Sequence, residues 1–94
     1  MGYAETDRAV VLAHLDEVQH CFDREQMNLP FLKARVELLA SVTTDGQLAA
    51  VQLWAMRGGS SHLEACIREA VGQWRFPQVT NGHSRRLVYA FVFE

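Results

Sequence analysis

The stretch Glu64–Pro77, "EACIREAVGQWRFP", decides the fold. Leu63, Cys66, Ile67, Ala70, Val71 and Trp74 recur at i, i+3, i+4 and i+7, which marks an amphipathic helix with one buried face. Upstream, "RGGSS" breaks the chain, and Ser61 with Glu64 three residues later matches a capping box. Gly72 weakens this helix by roughly 1 kcal/mol relative to alanine, and Pro77 stops it. The buried face carries Cys66; the only other cysteine, Cys21, lies far upstream.

Cys21 belongs to a second helical pattern. Thr6 or Asp7 can cap it, and Val11, Leu15, Val18 and Phe22 form its apolar stripe, with Cys21 at the edge. Asp16, Glu17, Arg24 and Glu25 fill the wet side. The helix fades over Gln26–Asn28 and ends by Pro30. Between the two helices, Val36, Leu38, Ala40 and Val42 alternate as a half-buried strand requires. Asp45-Gly46 in "TTDGQ" supplies the positive φ of a tight hairpin, and Leu48–Met56 returns as a second strand. Leu48 is out of phase with Val51 and Leu53, so a bulge is expected near Ala49-Ala50. After the polar loop "TNGHS", the run "RRLVYAFVFE" is a third strand, rich in aromatic and branched residues.

The order helix, strand, strand, helix, strand gives an α+β domain. A right-handed helical crossover leaves the second and third strands running in the same direction. The third strand then lies beyond the first, so the sheet order is second, first, third, an antiparallel or mixed three-stranded sheet. Both helices cover one face, because a sheet this small needs one apolar layer against it. The last strand is an edge. The 94 residues form a single domain, residues 1–94, with a formal net charge of -2. That charge argues against nucleic acid as a partner. No apolar run reaches the ~20 residues needed to span a bilayer, and no signal peptide is visible. The chain is expected either to be cytoplasmic or to be a fragment of a longer exported protein.

Few residues suggest catalysis. His14 and His20 do not share a helix face, "RGGSS" lacks the pattern of a phosphate loop, and His83 sits in a polar loop. No catalytic residue, metal ligand set or cofactor is assigned. Arg85-Arg86 reads as a wet strand start that discourages aggregation, or as a small anionic site. Trp74 and Phe76 read as core and helix-end packing, whereas the strand phase of Trp54 puts it away from the helices, on the open face. There it serves either as a binding patch or as cover for its cross-strand neighbours. The cysteines leave three readings open: a bridge, worth about 4 kcal/mol by loop-closure entropy, two unlinked buried thiols, or a zinc site with His62.

Cys21 near the first helix end, "LP" before the first strand, "TDGQLAAVQL", and "CIREAVGQWRFP" followed by "VYAFVF" together resemble the TonB C-terminal domain superfamily. They resemble more closely the AgmX/PglI C-terminal domain of myxobacterial gliding-motility proteins. The resemblance covers roughly residues 10–94. It implies a helix–strand–strand–helix–strand fold and a periplasmic location at the end of a longer chain with an inner-membrane anchor. In that oxidising compartment it also implies a Cys21–Cys66 disulfide. The implied role is a non-catalytic interaction domain. It would bind an outer-membrane or periplasmic protein by strand addition along Leu87, Val88, Tyr89, Ala90, Phe91, Val92 and Phe93, with Trp54 as a second candidate contact. Through its missing N-terminal part it would couple an inner-membrane motor to the outer envelope, in gliding motility or TonB-like energy transduction. The same edge admits a homodimer. Other readings are a small thiol- or zinc-binding domain on Cys21, Cys66 and His62, or an oligomerisation module. The sequence departs from the family where Tyr89-Ala90 and Leu29-Pro30 replace Tyr-Pro pairs, which points away from a TonB-box peptide and toward a gliding-machinery partner.

Overall fold

The computed structural model describes residues 3–58, 60–78 and 82–93. The elements are α1 (Tyr3–Ala13), α2 (Leu15–Asn28), β1 (Ala34–Val42), β2 (Leu48–Gly58), α3 (Ser61–Val71) and β3 (Arg85–Phe93). Thr80, Asn81 and Glu94, which the sequence assigns to the polar loop and the last strand, lie outside the described residues. The sheet order is β2-β1-β3, and β1 is antiparallel to both neighbours. The expected α+β class, strand order and edge position of the last strand are what the structure has.

Strand β1 is central and alternates as expected. Ala34, Val36, Leu38, Ala40 and Val42 are buried, while Arg35, Glu37, Leu39 and Ser41 face the open side. The hairpin is closed by Thr43 and Gln47, whose backbone groups bond at 2.8 Å. Gly46 is essential there. Its φ is +86°, and a Cβ at this position would meet the Phe76 carbonyl oxygen at 2.1 Å. The Phe76 N–H donates to the Gly46 carbonyl at 2.8 Å, tying the hairpin tip to the segment after α3.

The first helix of the sequence reading is two helices. The chain is already helical from Tyr3, so neither Thr6 nor Asp7 is a cap. It breaks at His14, whose N–H bonds back to Val11 over three residues rather than four. No proline or glycine marks this break; tertiary contacts hold it. The His14 ring stacks on Trp74, with centroids 5.2 Å apart, and its Nδ1 lies 2.5 Å from Glu17 Oε2. The Trp74 indole N–H donates to Glu17 Oε1 at 3.1 Å. Across the break, Val11, Val18 and Phe22 keep the stripe buried.

Asp7 turns inward instead of capping. Its carboxylate takes a two-pronged bond from Arg85 at 2.8 and 2.9 Å, and both side chains are buried. Arg85 is thus no wet strand start; the exposed cation is Arg86. The expected cap of α3 also moves by one residue. Ser60, not Ser61, is the cap, accepting from the Leu63 N–H at 3.1 Å. The same hydroxyl donates to the buried Glu25 carboxylate at 2.6 Å, so an acid from α2 sits at the positive end of α3. Helix α3 ends at Val71, with Gly72 as its C-cap rather than an interior residue. Trp74 lies beyond the helix yet is fully buried. Cys21 and Cys66 are bonded, which selects the bridge among the three readings and removes the sulfur ligands of the zinc alternative.

Two outcomes follow from these contacts. Arg85→Met should lower unfolding free energy by about 3–5 kcal/mol in urea titrations, because it strands a buried carboxylate. Asp7→Leu/Arg85→Met should recover most of that loss. The Glu17 carboxyl is held below its ordinary range, first by the His14 hydrogen bond and then by that of Trp74. A lowered folded pKa makes this contact stabilising above the unfolded pKa and lost as pH falls through the folded one. Urea midpoints should therefore drop more steeply from about pH 5 to about pH 3 in the native protein than in Glu17→Gln.

Candidate functional site

A three-stranded sheet has two edges, and the chain treats them differently. The outer edge is β2 on one side. Its register with β1 slips twice, between Arg35 and Val36 and between Leu39 and Ser41. The second slip is the bulge expected at Ala49-Ala50, and Ala50 takes φ +51°, a left-handed conformation rare for alanine. Arg68 from α3 donates to the Val51 carbonyl at 2.9 Å, occupying an acceptor beside the bulge. Such breaks are how sheets blunt an edge against pairing with another chain.

The opposite edge is β3, and it is regular. Nine consecutive residue pairs link it to β1, from Ala34–Phe93 to Val42–Arg85, without a slip. One side of the strand is used in this ladder; among the described residues no further strand pairs with the other. The inward side chains anchor it: Leu87, Phe91 and Phe93 are buried, and Phe93 stacks on Phe22 of α2 with centroids 4.7 Å apart. On the open face Val88 and Val92 are each about half exposed. These are the two large apolar side chains that β3 leaves in water.

Helices wall the free edge. Leu15, Val18 and Gln19 of α2 face Tyr89–Phe93 across a hollow of about 320 Å³. Nearer the start of the strand, Asp7 and Arg8 of α1 and residues Arg86–Tyr89 enclose a smaller hollow of about 160 Å³. The Arg8 guanidinium lies 5.3 Å above the Tyr89 ring, at the junction of the two. The edge is therefore a trough: backbone donors and acceptors along the floor, apolar side chains toward α2, and a cation toward α1. It can recognise an extended backbone, and it has the shape to take a side chain that points to the helices.

The sequence-assigned residues Leu87–Phe93 form this edge. Trp54 does not join them. It is half exposed on the open face of β2, opposite Glu37 of the central strand, whose other neighbour is Ala90. Trp54 shares the open face with Val88 and Val92 but stands on the opposite outer strand, away from the free edge of β3. Leu15, Val18, Gln19 and Arg8 escaped the sequence reading as site residues. Leu15 and Val18 fell in the apolar stripe and read as core, which Val18 also is. Among the described residues, no group of three or more His, Cys, Asp or Glu side chains could hold a metal ion.

No family model matches the sequence, and no curated protein matches it. Among solved structures, the chain is similar to the solution NMR structure of the Pseudomonas aeruginosa TonB C-terminal domain. That match has 23% identity and a TM-score of 0.56, and it covers 74% of this chain and 73% of the other. The NMR solution structure of the Helicobacter pylori TonB C-terminal domain aligns at 10% identity and a TM-score of 0.47, over 86% of this chain and 79% of the other. The fold is that of a TonB C-terminal domain.

The bulge that guards β2 has a measurable strain. Ala50→Gly should raise stability by about 0.5–1 kcal/mol, since glycine adopts positive φ without a Cβ penalty, while Ala50→Val should destabilise. Thermal melts of the two variants check this.

Proposed function

We propose that this domain is a non-catalytic protein-interaction module that grips an extended segment of a partner protein by adding it as a fourth strand beside β3. The observation that carries this reading is the asymmetry of the sheet: β2 is bulged and capped, while β3 presents nine regular residues to a helix-walled trough. Half-exposed Val88 and Val92 support it, because an added strand places side chains beside them on the open face. The fold of TonB C-terminal domains agrees with an interaction role. Among the described residues no helix is long and apolar enough to cross a membrane, so membrane attachment would come from another part of a longer chain.

On this reading the domain sits in the periplasm at the end of an inner-membrane-anchored protein, with an outer-membrane or periplasmic protein as its partner. The resemblance of the sequence to AgmX/PglI domains, with Tyr89-Ala90 and Leu29-Pro30 in place of Tyr-Pro pairs, favours a gliding-machinery partner over a transporter peptide. The disulfide agrees with an oxidising compartment. Energy would pass from an inner-membrane motor to the outer envelope through the gripped strand.

Amide shifts are the direct readout. Extended peptides from periplasm-facing segments of outer-membrane proteins should, for a true partner, shift Leu87–Phe93 together with Leu15, Val18 and Gln19. Shifts confined to Trp54 and the open face would sink the edge reading. Proline placed in turn at Val88 and Tyr89 removes one N–H from each side of the strand. The variant that still melts like the native domain should lose binding at least about tenfold. The homodimer that the same edge admits would show instead as concentration-dependent shifts at Leu87–Phe93 without added peptide.

A further inference from the structure

The disulfide lies where a second protein can reach it. Helices α2 and α3 leave a groove between them, and the bridge crosses its floor. On one side is a hollow of about 590 Å³, lined among others by Asp16, Glu17, His20 and Glu69. On the other is a hollow of about 430 Å³, lined by Glu25, Asn28, Leu29 and His62. Cys21, Arg24 and Cys66 line both. The two sulfur residues differ in access: Cys21 is 4% exposed, whereas Cys66 is only half buried. Cys21 belongs to the core and Cys66 packs against it, yet the bridge also has an open hollow on either side.

We infer that the Cys21–Cys66 bond is a thiol–disulfide exchange site in the folded domain, addressed through this groove by a dithiol protein of the oxidoreductase class. The chemistry balances. A thiolate of the partner attacks the sulfur of Cys66, the less buried of the two residues, the S–S bond breaks, and Cys21 leaves as a thiolate. The partner's second thiol, after losing its proton, attacks the mixed disulfide and releases Cys66 as a thiolate. The two electrons come from the dithiol, which ends as a disulfide, while the domain ends with two thiols. The reverse sequence, with an oxidised partner, installs the bond. Arg24 is the cation common to both hollows and follows Cys21 by one turn of α2; a cation near a departing sulfur stabilises the thiolate and speeds the exchange. The hollows on either side give room for the residues that flank the partner's attacking cysteine.

Reduction kinetics of the native, oxidised domain test this with dithiothreitol as the probe. Attack in the folded state makes the rate first order in dithiol without a plateau, and insensitive to urea below the unfolding transition. Arg24→Gln should slow it by roughly threefold to tenfold, and Arg24→Lys should restore most of the rate. Arg24 is exposed on α2, so both variants should melt like the native domain. A rate that saturates with dithiol at the global unfolding rate, or that accelerates with urea in step with unfolding, would overturn the inference. So would a rate unchanged in Arg24→Gln. In each of those cases the bond opens only when the helices come apart, or the groove does not assist.

Discussion

Backbone hydrogen bonding in a three-stranded sheet constrains everything else. Only the central strand can pair on both sides, so two strands must each leave a row of N–H and C=O groups unpaired. The chain places β1 at the centre and spends two register slips, a left-handed alanine and a side-chain bond from Arg68 on β2. It spends none of these on β3. Features that hinder pairing with another strand are thus present in this sheet, and they are confined to one edge. The contrast matters more than either edge alone, because a chain that needed both edges silent had the same devices available for both.

The regular edge can stay open only if something other than a fourth strand holds β3 in place. Three contacts do so. Phe91 and Phe93 bury themselves under α2, with Phe93 stacked on Phe22. Arg85 pins the start of the strand to Asp7 of α1. The disulfide then fixes α2 to α3, so the helix that walls the trough cannot drift. The bridge closes a loop that spans β1 and β2, which is why it is worth about 4 kcal/mol by loop-closure entropy, a large share for a domain of this size. The break at His14 belongs to the same scheme. It lets α1 reach β3 while α2 keeps its stripe on the core, and Trp74 and Glu17 lock the angle.

Much of this was legible in the sequence, and the misses have physical causes. Period-two alternation of Val36, Leu38, Ala40 and Val42 located β1, and the phase error at Leu48 located the bulge to within a residue. The i, i+3, i+4 pattern found α3, but overran its end, because Trp74 is buried without being helical. Periodicity reports burial, and burial continued past the helix. The break at His14 had no local signal, since no glycine or proline stands there and the stripe runs through it. Asp7 read as a cap because acids usually cap; its partner is far away in sequence, and no local pattern announces a pairing of that range. The trough was half legible for the same reason. Its floor is one strand and could be read, while its walls come from α1 and α2 and needed the fold.

Selection at such an edge cannot come from the floor. Backbone bonds are blind to side chains, so a fourth strand of any composition would satisfy the same donors and acceptors. Discrimination must therefore lie with the walls, where Val18, Leu15 and Gln19 face Tyr89 and Phe91 across about 320 Å³. An incoming strand presents alternate side chains to that hollow and to the open face beside Val88 and Val92. Apolar groups on both sides of the strand would fit best, because the half-buried Leu15 faces the hollow and Gln19 is the one polar side chain on that wall. The cation at Arg8 marks the one end of the trough where a charge is welcome. Strand direction is left free by the backbone, since either sense of pairing forms a ladder; in the proposed complex the offset between the apolar hollow and Arg8 would break the tie.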